Sequence, residues 1–175
     1  MINETEWRNV PCPQVQLGDE AIKTIFEPVK TSKELKAINL SNNNFSEKGL
    51  KAIFDAVTTN PNIKNLSISG NSLSEEGVAI LEEFLRKNST LEVLNVENCS
   101  LKIGGVSRIF GAIAHTKFLK KLYIGGNDIG NEQTRSIFQF LEENASLVVL
   151  ALNNTEIGTF FNCNVERQDV FKNFF

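Results

Sequence analysis

Six segments of this chain fall on one another without an insertion or a deletion. They begin at Trp7, Leu35, Ile63, Leu91, Leu119 and Leu147, each 28 residues after the last. In order they read WRNVPCPQVQL, LKAINLSNNNF, IKNLSISGNSL, LEVLNVENCSL, LKKLYIGGNDI and LVVLALNNTEI. A period kept over so many units marks a repeat protein, in which each unit buries its apolar side against its neighbours. Folds with one central core and no internal period are thereby excluded.

The columns of this register carry the structural content. The fourth position holds Val10, Ile38, Leu66, Leu94, Leu122 and Leu150, and the sixth holds Cys12, Leu40, Ile68, Val96, Ile124 and Leu152. Apolar residues two apart predict a half-buried strand. The eleventh position is apolar throughout: Leu17, Phe45, Leu73, Leu101, Ile129 and Ile157. The ninth is polar or small, with Asn43, Asn71, Cys99 and Asn127 at its centre. Asparagine at one fixed place in successive coils predicts a structural ladder, its amide bonding backbone groups of the buried turn after each strand.

The second half of each unit switches to helical spacing. Leu50, Ile53, Phe54 and Val57 share one face, as do Val78, Leu81 and Leu85, or Val106, Ile109, Phe110 and Ile113, and Ile137, Phe138 and Leu141 continue the pattern. Ser46 and Ser74 sit where an N-cap belongs, each followed by acidic residues. Asn60, Asn88 and Asn144 stand where the helix must stop and suggest left-handed caps. Gly49, Gly77 and Gly105 share a column, which predicts close approach of each helix to its neighbour. Strands stack ~4.8 Å apart while packed helices need ~8–10 Å, so the helix side must splay. The expected fold is an α/β solenoid, a short curved arc with parallel strands on the concave face and helices on the convex face.

The 175 residues suit one domain. Its expected parts are a degraded N-terminal repeat or cap at 1–34, four regular repeats at 35–146, and a final partial repeat with a C-terminal cap or truncation at 147–175. Of the 13 phenylalanines, Phe26, Phe54, Phe110 and Phe138 share one helix column and Phe84 and Phe140 another, and these read as core. A net charge of −3 and a pI near 5.3 argue against nucleic acid as a partner. No apolar run approaches the ~20 residues of a membrane span, and MINETEW lacks the features of a signal peptide. Cys12 and Cys99 lie at inward positions far apart along the stack, which favours reduced thiols and a cytoplasmic setting.

The unit LxxLxLxxNxL, followed by a glycine and a helix, resembles the ribonuclease-inhibitor-like leucine-rich repeats. The resemblance spans nearly the whole chain and is strongest from Leu35 to Asn144. It implies a recognition surface. That family includes ribonuclease inhibitors, immune-receptor sensor domains, Ran GTPase activators, tropomodulin-type actin cappers and bacterial effectors, and the fold does not choose among them.

Outward positions on the strands are the natural binding surface. Asn39, Asn65, Asn95, Glu97, Lys121 and Tyr123 are the candidates, with Tyr123 between Lys121 and Glu97 as the anchor, because binding hot spots favour large aromatic residues. His115 lies near a helix C-terminus, where a cation-capable side chain suits the dipole. No motif pairs it with a nucleophile, IGGNDIG lacks the lysine of a phosphate-binding loop, and no cluster has metal-ligand spacing. The expectation is a monomeric, non-catalytic protein-interaction module without cofactor or metal. Its Asn-, Lys-, Ile- and Phe-rich composition hints at a protist scaffold or a bacterial effector. A GTPase activator and a tropomodulin-like actin-capping protein are the alternatives.

Overall fold

The structure, a computed structural model, describes residues 19–130, 134–155 and 164–166, with no side chain at 134, 136, 138 or 164–166. Helix α1 (Asp19–Val29) leads into β1 (Ala37–Asn39), α2 (Glu47–Thr59), β2 (Asn65–Ser67), α3 (Glu75–Lys87), β3 (Val93–Asn95), α4 (Ile103–Ile113), β4 (Lys121–Tyr123), α5 (Thr134–Glu143), β5 (Val149–Ala151) and β6 (Asn164–Glu166). The strands form one sheet in chain order. From β1 to β5 all pairings are parallel, and each residue lies opposite the one 28 positions later, as in Ile38↔Leu66 and Leu66↔Leu94. The fold is an α/β leucine-rich-repeat solenoid.

This register stacks like on like. Ile38, Leu66, Leu94, Leu122 and Leu150 form one inward column, each no more than 1% exposed. Leu40, Ile68, Val96, Ile124 and Leu152 form a second. The helices close the other side with the faces that helical spacing picks out: Leu50, Ile53, Phe54 and Val57 on α2, and Val106, Ile109, Phe110 and Ile113 on α4 are all buried. Phe54 and Phe84 stack across α2 and α3 with ring centroids 4.3 Å apart, and Phe110 and Phe140 meet at 4.9 Å across α4 and α5. The Phe138 side chain, the Trp7–Leu17 unit and Cys163 lie outside the described residues, as does most of the tail beyond Ile157.

Ser46 and Ser74 cap their helices, accepting from Lys48 N at 3.2 Å and Gly77 N at 3.1 Å. Each hydroxyl also donates to an acid at the start of the preceding helix, Ser46 to Asp19 at 2.7 Å and Ser74 to Glu47. The Ser74 bond holds the Glu47 carboxyl below the usual carboxylate range. Between α3 and α4, Glu82 accepts from Arg108 at 2.6 Å and from Arg86 at 2.9 Å, and these two guanidinium groups, Arg108 first, lower its pKa. The acidic pair Glu82-Glu83 is thus engaged in ion pairs, Glu83 with Lys87 at 2.6 Å.

The helix ends differ from the left-handed caps that their asparagines suggest. Asn60 has φ −100° and Asn88 φ −74°, both extended. They act through their side chains. Asn60 Nδ2 donates to Val29 O and Ser32 O in the preceding coil, while its Oδ1 accepts from Asn62 N. Asn144 repeats this, reaching Ile113 O and Ala114 O and accepting from Ser146 N and Leu147 N. Asparagine is needed because one small amide bonds two coils at once.

The glycine column is uneven. A Cβ at Gly49 would lie 2.9 Å from Asp19 Oδ1 and 3.1 Å from Phe45 Cβ, whereas at Gly77 the nearest atoms are at an ordinary 3.5 Å. Gly77→Ala is expected to stabilise by about 0.5–1 kcal/mol through helix propensity. Gly49→Ala is expected to cost about 1–2 kcal/mol through overpacking. Urea midpoints moving in the same direction for both variants would contradict this reading.

The turn after each strand combines two devices. At the eighth position Asn42, Gly70, Asn98, Gly126 and Asn154 all have φ between 53° and 69°, the left-handed region that glycine and asparagine tolerate. The residues alternate for a steric reason. A Cβ on Gly70 would meet Asn42 Oδ1 at 1.9 Å, and one on Gly126 would meet Asn98 Oδ1 at 2.0 Å, so each asparagine leans over the glycine of the next coil. At the ninth position Asn71 and Asn127 are buried. Asn71 Oδ1 accepts from Asn43 N and Asn44 N, both at 2.7 Å, and its Nδ2 donates to Leu40 O and Ile68 O. Asn127 does the same with Cys99 N, Leu101 N, Val96 O and Ile124 O. Cys99 keeps only the donor half, with Sγ 3.4 Å from Ile68 O, and Leu73 N turns instead to the Cys99 carbonyl at 2.9 Å.

The parallel order ends at β5. There β6 pairs antiparallel, with Leu150 opposite Val165. It occupies the sheet edge on which a further parallel strand would add.

Candidate protein-binding face

Three outward positions per strand make up the face opposite the helices. In coil order they are Ala37, Asn39, Ser41; Asn65, Ser67, Ser69; Val93, Asn95, Glu97; Lys121, Tyr123, Gly125; and Val149, Ala151, Asn153. Because neighbouring strands are ~4.8 Å apart, side chains here lie against those of the adjacent coils, and short ones are covered. Ala37, Ser67, Val93, Asn95 and Ala151 are buried although they point away from the helices.

The face divides into two halves. In the first, hydroxyls satisfy one another: Ser41 Oγ donates to Asn39 Oδ1 at 2.6 Å, Ser69 Oγ donates to Ser41 at 2.8 Å, and the Ser41 and Ser67 oxygens are 2.9 Å apart. This network has little left to offer a partner. Asn39 and Asn65 are half-buried beside it.

The second half carries the larger groups. Glu97, Lys121 and Tyr123 are half-buried. Tyr123 stands opposite Asn95 on one side and Ala151 on the other, so its ring overlooks small covered residues. Glu97 lies beside Gly125, where a Cβ would come within 2.4 Å of Asn153 O. That glycine lets its coil approach the next one and puts no side chain beside Glu97 on that strand. Asn95 departs from the expected binding role. It is 4% exposed, and its amide is committed to Glu97, donating to Oε2 at 3.0 Å and accepting from the Glu97 N–H at 2.9 Å. Asn95 orients Glu97 and is covered from above.

The structure also exposes two residues that strand positions alone did not single out, Phe118 and Val148. The signal was in the repeat columns. Phe118 shares its column with Glu34, Asn62, Thr90 and Ser146, and Val148 shares its own with Lys36, Lys64, Glu92 and Lys120.

Cys99 is fully buried, and burial pushes its thiol up to about 12, which keeps it protonated and unreactive. His115 is exposed on the opposite, helix-ended edge. Among the described residues no three of His, Cys, Asp and Glu are grouped to hold a metal ion, and no helix is long and apolar enough to cross a membrane. What remains is a pre-formed surface held by backbone register.

A family model described as the TMOD/LMOD leucine-rich domain matches residues 19–164. The chain belongs to the TMOD/LMOD leucine-rich domain family. The leucine-rich-repeat character read from the columns stands, but the matching family is this one and not the ribonuclease-inhibitor-like subtype. Similar solved structures include a tropomodulin C-terminal domain from Caenorhabditis elegans, with 20% identity and a TM-score of 0.64 over 73% of this chain and 79% of that one. Leiomodin-1 actin-binding site 2 aligns with 20% identity and a TM-score of 0.62 over 70% of this chain and 73% of that one. At this identity the structural likeness is one of fold. Among curated proteins no sequence relative matches.

Proposed function

We propose that this TMOD/LMOD-type solenoid is a non-catalytic protein-binding module whose partner is actin in the cytoplasm. The observation that carries this reading is the family match over residues 19–164, supported by the likeness in fold to a leiomodin-1 actin-binding site. Neither describes a GTPase activator, an effector or a scaffold. In this reading the strand face makes the contact through Tyr123, with Glu97 and Lys121 as flanking charges. A surface already ordered by strand register loses little conformational freedom on binding.

Co-sedimentation with actin filaments, together with the rate at which diluted filaments depolymerise, tests the proposal. The chain is expected to pellet with filaments and slow their depolymerisation. The double variant Tyr123→Ala, Glu97→Gln, whose amide oxygen can still accept from Asn95, is expected to weaken binding roughly tenfold or more, the loss of one hot-spot cluster, while circular dichroism shows it folded. Absence of any filament binding or effect by the wild type would overturn the actin reading. Unchanged binding by the folded variant would move the contact off the strand face.

A further inference from the structure

Beside the helix C-termini, one edge of the solenoid carries apolar residues where its own repeat calls for polar ones. Among the described residues three large apolar side chains are exposed, Ile25 at 38%, Phe118 at 46% and Val148 at 49%. Two of them flank one lysine. Phe118 precedes Lys120 by two residues, and the backbone N–H of Val148 donates to the Lys120 carbonyl at 2.7 Å from the next coil. Neither has a helix face or an inward strand position to account for it.

Two exposed lysines, Lys117 and Lys120, stand beside these residues. Lys120 Nζ reaches the Lys117 carbonyl at 3.4 Å, and among the described residues neither lysine has a carboxylate within ion-pairing distance. One repeat or more earlier the same edge is neutralised, since Lys64 lies 3.9 Å from Glu92. His115, Thr116 and Lys117 line two adjoining clefts of about 400 Å³ each, on either side of the end of α4. Phe118, Arg86 and Lys87 complete one cleft; Lys120 and Glu143 border the other. The helix dipole explains cations at this edge, but it does not explain an exposed Phe and Val set among them.

We propose that this edge, at the ends of α4 and β4–β5, is a docking surface for an acidic peptide segment of a protein partner, one that also presents an apolar side chain. Lys117 and Lys120, unpaired among the described residues, supply charge complementarity in a chain whose net charge is −3, and the exposed Phe118 and Val148 supply the apolar anchor. This surface lies away from Tyr123 and does not depend on the actin reading.

Fluorescence polarisation of the full chain against a labelled synthetic peptide, aspartate and glutamate around one central phenylalanine, tests it. Saturable binding is expected, weakened about tenfold or more by Phe118→Ser and by the pair Lys117→Glu, Lys120→Glu, with Val148→Ser as an independent second variant. The same peptide with lysines in place of its acids is expected not to bind, and Tyr123→Ala is expected to bind like wild type. Lys117, Phe118, Lys120 and Val148 are all exposed, so circular dichroism is expected to show their variants folded. No saturable binding would overturn the proposal. So would wild-type affinity in both Phe118→Ser and Val148→Ser, which reduces the edge to unspecific charge. Self-association that disappears in the Phe118→Ser variant, or binding to phosphatidylserine vesicles in preference to the peptide, would assign the edge to a different occupant and overturn it as well.

Discussion

Asn71→Ala is expected to lower stability by roughly 2–3 kcal/mol, since it takes the acceptor from the buried N–H of Asn43 and the part-buried N–H of Asn44 and removes the amide donor to two carbonyls. The amide of Asn71 accepts from Asn43 N and Asn44 N at 2.7 Å and donates to carbonyls of its own and the preceding coil. Water cannot take over the bond to Asn43 N, because Asn43 and Asn71 are each 1% exposed. The Asn127 substitution is expected to cost a similar amount, as its bonds repeat the pattern one coil pair later. Asn71→Cys provides the sharper comparison. Cys99 shows that a thiol can donate to the preceding coil but accepts nothing from its backbone. The cysteine variant is therefore expected to lie between wild type and alanine. Urea unfolding with an unchanged slope reads the difference. An alanine variant within error of wild type would mean that the coils are held by strand pairing alone.

Leu94→Ala is expected to be the most damaging single core change, at about 3–4 kcal/mol from lost burial and the cavity left behind. Leu94 is fully buried and stacked in register between Leu66 and Leu122, so neither neighbour can collapse into the space without breaking its own strand pairing. For a domain of this size the melting temperature is expected to fall by roughly 10 °C. In a solenoid each coil contacts only its neighbours, so hydrogen exchange is expected to rise most in β2, β3 and β4 and least in α1. Uniform loss of protection along the chain would show that the coils unfold as one cooperative unit instead.

The two kinds of prediction rest on features of different legibility. The 28-residue period, the inward columns and the helix faces were all present in the sequence, because burial against an identical neighbour repeats the same demand at the same position. The ninth-position asparagines were legible for the same reason. Position alone could not show how the eighth-position residues alternate. Asn42 over Gly70 and Asn98 over Gly126 are contacts between coils, and their necessity appears only once a Cβ on either glycine is seen to fall 1.9–2.0 Å from the asparagine oxygen. Asn60 and Asn144 were visible as helix stops, but their reach into the preceding coil was not.

The candidate site divides along the same line. Alternation told which residues point outward from the strands, and Tyr123, Glu97 and Lys121 do so with partial exposure. It could not tell that pointing outward and being reachable are different conditions. Asn95 fails the second, because strands one hydrogen bond apart bring neighbouring side chains close enough to cover a short amide between Tyr123 and Ser67. The sequence by itself determined the architecture, since a solenoid's geometry is the repetition of one local pattern. Only the tertiary structure decided which outward residues a partner can touch, since accessibility is set by the coils on either side and no single repeat contains them.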